Sequence, residues 1–248
     1  MKAMVLAAGL GTRLRPLTDH QPKALVEIDG RTLLEITLTR LRDFGVREVI
    51  INVHHFVDTI EQYLHKNDNF GLRIELSREE VLLDTGGGLK KAGWFFLEGA
   101  KGSDEPFLLH NVDVISTIDF GGMVTLHKKN AALATLAVQE RETSRQLLFN
   151  EKIQLCGRRA GWDKAPEIAR PSANLKPLAF TGIHCMSPRL LTFMTEDGAF
   201  SIIDTYLRLA AQGELIQGFR ADEFYWRDLG KLEQVQQAAQ DYKNKRFI

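Results

Sequence analysis

The sequence predicts an α/β protein organised around a parallel sheet. Short apolar runs alternate with helix-period patterns through the first half, and the first run leads into a glycine-bearing loop. The 248 residues, 44% of them hydrophobic, suffice for one sizeable core. We expect a single domain over residues 1–248, with residues 1–115 forming one half and residues 116–248 a second half richer in strands.

Taken in order, Ala3 to Leu6 is the first strand. Thr32-Leu33-Leu34-Glu35 is a capping box that opens a helix with Leu34, Leu38 and Leu41 along one face. Glu48 to Val53 is the second strand, Val57 to Leu64 a helix, and Leu72 to Leu76 a third strand. A glycine cluster then feeds a helix through Trp94 to Leu97, and Phe107 to Leu109 is a strand ending in His110-Asn111-Val112-Asp113. Further strands are expected over Ala132 to Val138, Gln146 to Phe149, Ile153 to Cys156 and Ala179 to Cys185, with helices opening at Ser201 and near Leu232. The polar stretch from Arg158 to Pro177 contains Pro166 and Pro171 and is expected to be a long loop, of the kind that carries function.

Composition excludes several functions. Lysine plus arginine number 32, matching 32 aspartates plus glutamates, so the basic surplus of a sequence-independent nucleic-acid binder is missing. Cys156 and Cys185 stand in separate segments without metal-ligand spacing, which argues against a disulfide or zinc site and for a reducing cytoplasm. The apolar start is too short for a signal peptide and meets Arg13 and Arg15 at once, so it reads as a buried strand. No apolar stretch approaches the ~20 residues of a membrane helix. Neither nucleic acid nor membrane is an expected partner.

The motif with most chemical content is Leu6-Ala7-Ala8-Gly9-Leu10-Gly11-Thr12-Arg13-Leu14-Arg15-Pro16-Leu17-Thr18, directly after the first strand. Glycines let a backbone approach phosphates, loop N–H groups make an anion-binding concavity, and an arginine grips phosphate oxygens with two hydrogen bonds. A dinucleotide fingerprint would need glycine or alanine at Leu14, and a Walker A loop would need Gly-Lys-Ser/Thr, so neither is present. Downstream, Lys23 in Pro22-Lys23-Ala24-Leu25-Val26 offers a compact positive charge to the same triphosphate. His54, His55 and His110 lack ligand spacing and read as core or rim residues, His110 being notable for its place beside Asn111-Val112-Asp113.

Together the loop and Lys23 resemble the sugar nucleotidyltransferase family, whose hallmark is Gly-x-Gly-Thr-Arg-Leu-x-Pro-Leu-Thr followed by Pro-Lys-Pro, with Ala24 replacing the second proline. Asp84-Thr85-Gly86-Gly87-Gly88 is similar to the segment that packs against base and ribose, though glycine there also suits a helix N-terminus. Asn111-Val112-Asp113 resembles a metal-binding strand end, with Val112 where the family usually carries glycine, an added side chain that can narrow the pocket. Phe180-Thr181-Gly182-Ile183 is similar to the strand lining the sugar pocket, and Trp226-Arg227-Asp228-Leu229-Gly230 to the segment supplying a second metal carboxylate.

The resemblance implies a Rossmann-like glycosyltransferase-A type fold, with a mixed, mostly parallel central sheet flanked by helices. It implies a nucleotide-binding half over 1–115 and a sugar-binding half over 116–248, in a monomer or homodimer. A sugar 1-phosphate and a nucleoside triphosphate would be joined, releasing pyrophosphate. Arg13, Lys23, Asp113 and Asp228 are the implied catalytic residues, with Asp113 and Asp228 binding Mg²⁺. Leu6, Ala8, Gly9, Gly11, Thr12, Arg13, Lys23, Asp84, Thr85, Gly86 and Asn111 are implied in nucleotide binding, and Phe180, Thr181 and Gly182 in sugar binding. The compact chain resembles both uridylyltransferases acting on N-acetylmuramate 1-phosphate and guanylyltransferases acting on mannose or heptose 1-phosphate; the uridylyl reading is preferred, with the guanylyl one or a non-catalytic sugar-nucleotide-binding regulator as the alternatives. A carboxylate placed for a metal is poorly compensated without one, so Asp113→Asn is expected to leave stability unchanged or raised.

Overall fold

Continuous apolar strands suit parallel pairing with both faces covered, and the computed structural model, which describes residues 1–98 and 104–244, shows it in the first half of the chain and mainly antiparallel pairing in the second. In chain order the first elements are β1 (Lys2–Leu6), β2 (Glu27–Ile28), β3 (Arg31–Thr32), α1 (Leu33–Phe44), β4 (Glu48–Val53), α2 (Val57–Lys66) and β5 (Arg73–Arg78). Next come α3 (Asp84–Leu97), β6 (Phe107–Asn111), β7 (Val114–Ser116), α4 (Phe120–Lys129), β8 (Ala134–Gln139), β9 (Arg145–Phe149), β10 (Leu155–Ala160) and β11 (Glu167–Ile168). The remainder are β12 (Lys176–Met186), α5 (Arg189–Thr192), α6 (Ile202–Ala211), β13 (Ile216–Arg220), β14 (Trp226–Asp228) and α7 (Leu232–Lys243).

Two compact units are formed. The first comprises Met1–Leu83, Leu109–Ile118 and Phe224–Ile248. In it β1, β4 and β5 run parallel, with Met4 opposite Ile50 and Ile50 opposite Glu75. Ala3, Met4, Val5, Val49, Ile50 and Ile51 are fully buried, as strands covered on both faces must be. Helix α1 begins where Thr32 Oγ1 accepts the Glu35 N–H at 3.0 Å, and it buries Leu34, Leu38 and Leu41 completely, the face its spacing predicts. The C-terminal segment adds β14, antiparallel to β7 with Asp228 opposite Val114, followed by α7.

The second unit comprises Asp84–Leu108 and Asp119–Glu223. Here β8 lies between β12, antiparallel, and β13, parallel, while β9 pairs with both β10 and β12 in antiparallel fashion. Arg158 to Pro177 is less irregular than its composition suggests. β10 runs to Ala160, β11 pairs with it in the register Arg158 to Glu167, and β12 already starts at Lys176. The ribbon is held by ion pairs instead of apolar alternation: Arg158 Nε donates to Glu167 Oε2 at 2.8 Å and its Nη1 to Asp204 Oδ1 at 2.5 Å. The short strands β7 and β14 and the strand β13 also have no counterpart in the sequence reading. The strand pair β7–β14 is three residues long and cannot show a period. No helix among the described residues is long and apolar enough to cross a membrane.

One buried charge cluster anchors α7 to the strand that carries Asp228. Asp241, 1% exposed, accepts from Arg227 Nη2 at 2.7 Å, from Arg227 Nε at 3.0 Å and from the Tyr225 hydroxyl at 2.8 Å. Burial alone would raise the Asp241 pKa, but the hydrogen bonds from Tyr225, Arg227 and Gln237 and the arginine charge outweigh it and hold the carboxyl below its ordinary value. A depressed carboxyl pKa gives stability that is present above the unfolded value, near 3.9, and is lost as pH falls through the folded one. Thermal melts against pH should therefore show a steeper acid limb in the wild type than in Asp241→Asn. That variant should also lose about 3 kcal/mol at neutral pH, because Arg227 keeps its charge without the carboxylate. Superimposable acid limbs would remove Asp241 from this role.

Candidate active site

The site residues on the first unit lie on the loop after β1, a short 3₁₀ turn, the turn after β6 and the end of β14. After β1 the chain turns at Gly11, whose φ of 65° lies in the left-handed region where a side chain is strained. A Cβ on Gly11 would also meet Thr18 Cγ2 at 3.0 Å and Lys23 Cβ at 3.1 Å, so the loop closes tightly against both residues. Thr18 Oγ1 donates to the Gly11 carbonyl at 2.9 Å, and Leu14 N–H donates to the same oxygen at 2.8 Å while Leu14 is fully buried. Leu14 thus plugs the loop into the core and leaves Thr12 and Arg13 exposed.

Lys23 opens a short 3₁₀ turn, Lys23–Leu25, and is only 8% exposed. Its ammonium makes an ion pair with Asp113 Oδ2. Asp113 sits in the tight turn between β6 and β7, and two backbone hydrogen bonds fix that turn. Val112 N–H donates to the Leu6 carbonyl at 3.1 Å, and Leu229 N–H donates to the Asp113 carbonyl at 2.8 Å. The first bond places Asn111–Asp113 beside the end of β1; the second places it beside the residue after Asp228. Val112 is itself buried, at 4% exposure, so its side chain belongs to the core of the turn.

Asp228 is exposed at the end of β14, and its Oδ1 accepts the Gly230 N–H at 2.6 Å. An added Cβ on Gly230 would stand 2.6 Å from Arg13 Nη2 and 2.7 Å from Asp228 Oδ1, so the guanidinium lies directly on this glycine. Arg13, Lys23, Asp113 and Asp228 therefore gather on one unit from four sequence regions. The arrangement can hold phosphate oxygens through two cations and a divalent cation through two carboxylates. Among the described residues no group of three or more His, Cys, Asp or Glu side chains gathers as a metal site. A two-carboxylate, all-oxygen donor set still suits Mg²⁺, which keeps waters and phosphate oxygens in its shell.

Asn52 and Glu79 support the loop and were not singled out from sequence. Ala7 N–H donates to Asn52 Oδ1 at 2.8 Å, and Asn52 Nδ2 donates to Glu79 Oε1 at 2.8 Å. Glu79 Oε2 accepts the Leu83 N–H at 3.0 Å, so one buried carboxylate ties the ends of β1, β4 and β5 together. A lone asparagine in the apolar run Val49–Val53 was the available signal; nothing local separates Glu79 from Glu80.

Behind Asp113, Arg40 of α1 donates to Ser116 Oγ at 2.7 Å and to the Ile118 carbonyl, bracing β7. Burial lowers its pKa to about 10, a value at which it stays charged at neutral pH. His110 is 2% exposed, and burial, with the Arg40 charge second, pushes its pKa down to about 3. It is a neutral core histidine whose Nδ1 lies 2.8 Å from the Asn111 carbonyl, consistent with its reading as a core residue. The thiol of Cys185 is pushed up to about 12 by burial, and Cys156 is buried as well, so neither is a nucleophile.

The remaining candidates lie on the second unit, in settings of their own. Asp84, Thr85 and Gly86 form the first turn of α3. Thr85 Oγ1 accepts the Ile202 N–H at 3.0 Å, and Gly86 N–H donates to the Phe200 carbonyl at 2.9 Å. A Cβ on Gly86 would come within 2.3 Å of the Phe200 ring, so this glycine is required for packing whatever else it does. Phe180, Thr181 and Gly182 fall at a register shift between β12 and β8. Thr181 is buried and donates to the Ala137 carbonyl at 2.9 Å; Phe180 is half-buried, with its ring edge-on to His184 at 4.6 Å.

Comparison with known proteins identifies the family. Residues 2–147 match the family model described as nucleotidyl transferase. The chain is 36% identical over 220 residues to the N-acetylmuramate alpha-1-phosphate uridylyltransferase of Caulobacter vibrioides, covering 86% of both proteins. It is 29% identical over 241 residues to a mannose-1-phosphate guanyltransferase of Yarrowia lipolytica, covering 93% of this chain but 61% of that protein. Among solved structures, HddC from Yersinia pseudotuberculosis complexed with GMP-PN superposes with a TM-score of 0.72 at 20% identity, over 97% of this chain and 99% of that one. The shared fold is the Rossmann-like glycosyltransferase-A type, with a mixed sheet, mostly parallel at its centre and flanked by helices. A family match over residues 2–147 and a relative 36% identical over 86% of both proteins show that the chain belongs to the nucleotidyl transferase family, as an enzyme of the sugar 1-phosphate type.

Proposed function

We propose that this enzyme transfers a uridylyl group from UTP to N-acetylmuramate 1-phosphate, with Mg²⁺ as its metal. The observation that carries the chemistry is the gathering of Arg13 and Lys23 with Asp113 and Asp228 on one unit. The 36% identity to an N-acetylmuramate alpha-1-phosphate uridylyltransferase, over 86% of both chains, supports the choice of base and sugar.

In the reaction a phosphate oxygen of the sugar 1-phosphate attacks the α-phosphorus of the triphosphate in line. The bond from the α-phosphorus to the α,β-bridging oxygen breaks, and pyrophosphate leaves with that electron pair. No nucleophilic side chain is needed, so the protein's share is positioning and charge neutralisation. Asp113 and Asp228 would hold Mg²⁺, which supplies positive charge to the phosphate oxygens when bound. Lys23 has three donors; one holds Asp113 in place, and the others are available to an α-phosphate oxygen. Arg13, with Gly9, Gly11 and Thr12, grips the departing pyrophosphate in two-pronged fashion. On the first unit Leu6, Ala8 and Asn111 are assigned to the nucleoside; on the second, the family resemblance of Asp84, Thr85 and Gly86 supports a nucleoside role and that of Phe180, Thr181 and Gly182 a sugar role.

Pyrophosphate release measured over UTP, GTP, CTP and dTTP against a set of sugar 1-phosphates should be highest for UTP with N-acetylmuramate 1-phosphate. Highest turnover with GTP and mannose or heptose 1-phosphate would replace the uridylyl reading with the guanylyl one. Nucleotide binding without release over the whole set would indicate a regulator.

Asp113→Asn should cut the rate on the order of 10³-fold or more, since the charge that attracts the metal is gone. The ion pair to Lys23 changes the stability expectation: the carboxylate is compensated without a metal, and the variant leaves a nearly buried ammonium unpaired. It should therefore lose about 2 kcal/mol, less than a wholly buried pair would, because Asp113 keeps some solvent. A folded Asp113→Asn protein with full activity would defeat the assignment.

Arg13→Ala should raise the KM for the triphosphate on the order of 10-fold or more while leaving the melting temperature unchanged, because the side chain is exposed. Arg13→Lys should recover little, since an ammonium cannot reproduce two parallel hydrogen bonds. Unchanged steady-state kinetics in both variants would return Arg13 to the surface.

A further inference from the structure

Gly230 ends the segment that supplies Asp228, and neither the metal nor the phosphate reading gives it a task. It is buried although its two flanking functional groups, Arg13 and Asp228, are exposed. Its backbone is not in the left-handed region, so conformation alone does not demand glycine. What excludes a side chain is space. An added Cβ would stand 2.6 Å from Arg13 Nη2, 3.1 Å from Arg13 Cζ and 2.7 Å from Asp228 Oδ1.

We propose that Gly230 is a positioning residue: its bare α-carbon is the seat on which the Arg13 guanidinium is held in its triphosphate-gripping pose. This rests on the reading of Arg13 as the residue that holds the pyrophosphate portion of the substrate. An exposed arginine on a loop otherwise samples many rotamers, and ordering it on binding weakens the complex. The seat orders it beforehand. Gly230 N–H, which donates to Asp228 Oδ1 at 2.6 Å, fixes the neighbouring carboxylate from the same residue. One glycine therefore sets the spacing between the cation for the leaving phosphates and one of the two metal carboxylates.

The crowded atoms are the far end of a flexible side chain and a carboxylate oxygen, not backbone. Alanine at this position can be accommodated by pushing the guanidinium aside, which preserves the fold and removes the pose. A displacement of about 1 Å suffices to impair catalysis strongly.

The test compares Gly230→Ala, Arg13→Ala and the double variant by steady-state kinetics, Mg²⁺ titration and thermal melting. Gly230→Ala should melt with the wild type and raise the triphosphate KM about 10-fold, with the KM for the sugar 1-phosphate unchanged. In the Arg13→Ala background the glycine substitution should add nothing to the triphosphate KM, because the guanidinium is already gone; crowding of Asp228 Oδ1 reads in the Mg²⁺ titration instead. A wild-type triphosphate KM in Gly230→Ala, with Arg13→Ala impaired, would overturn the seat and leave the reading of Arg13 intact. An unimpaired Arg13→Ala would overturn that reading and the seat with it. Additive effects accompanied by a raised Mg²⁺ requirement would assign Gly230 to Asp228 alone and also overturn the proposal. Should Gly230→Ala fail to fold, the double variant decides: recovery of the native melt is expected, and a double variant that is also unfolded overturns the seat.

Discussion

The ion pair between Lys23 and Asp113 is the constraint around which the first unit's site is arranged. Lys23 is nearly buried, and an ammonium removed from water is costly without a counter-charge. The carboxylate that provides it comes from a turn 90 residues further along the chain. Because Lys23 also packs its Cβ against Gly11, the same residue closes the glycine loop and orients the carboxylate. Loop, lysine and carboxylate are thereby held together as one cluster.

Backbone hydrogen bonds extend that cluster to the second carboxylate. The turn bearing Asp113 is held to Leu6 on one side and to Leu229 on the other, so both ends of the site refer to the end of β1. Asn52 and Glu79 tie β1 to β4 and β5 through side chains, at the position where parallel strands run out of ladder partners. Behind β7, Arg40 braces the strand, and beyond β14 the buried Asp241 holds Arg227. The floor of the site is thus rigid, while Thr12, Arg13 and Asp228 stay exposed. Ligand-contacting groups on loops held by a stiff scaffold are what phosphate chemistry needs when positioning supplies most of the catalysis.

Particular elements show how far local pattern carries. Helix α1 was legible because its cap, Thr32, and its apolar face, Leu34, Leu38 and Leu41, are both written within ten residues. The parallel strands were legible because burial on both faces leaves uninterrupted apolar runs. The ribbon formed by β10 and β11 was not, because Arg158, Glu167 and Asp204 hold it by charge and no hydrophobic period marks it. The hydrogen bond from the Thr181 hydroxyl to the Ala137 carbonyl was not legible either, because only the strand pairing reveals that partner.

By itself the sequence determined the α/β class, the glycine-bearing loop after the first strand and a family resemblance that singled out Arg13, Lys23, Asp113 and Asp228. The class depends on hydrophobic period, and the four charged residues on motifs shared with the family. Only the tertiary structure decided which charges face each other. Lys23 meets Asp113, Glu79 meets Asn52, and Arg13 rests on Gly230 because strands adjacent in the fold are far apart in the chain. Electrostatic pairing falls off within a few ångströms of contact in a solvated protein, so partner choice is a property of the folded distances and not of the order of residues.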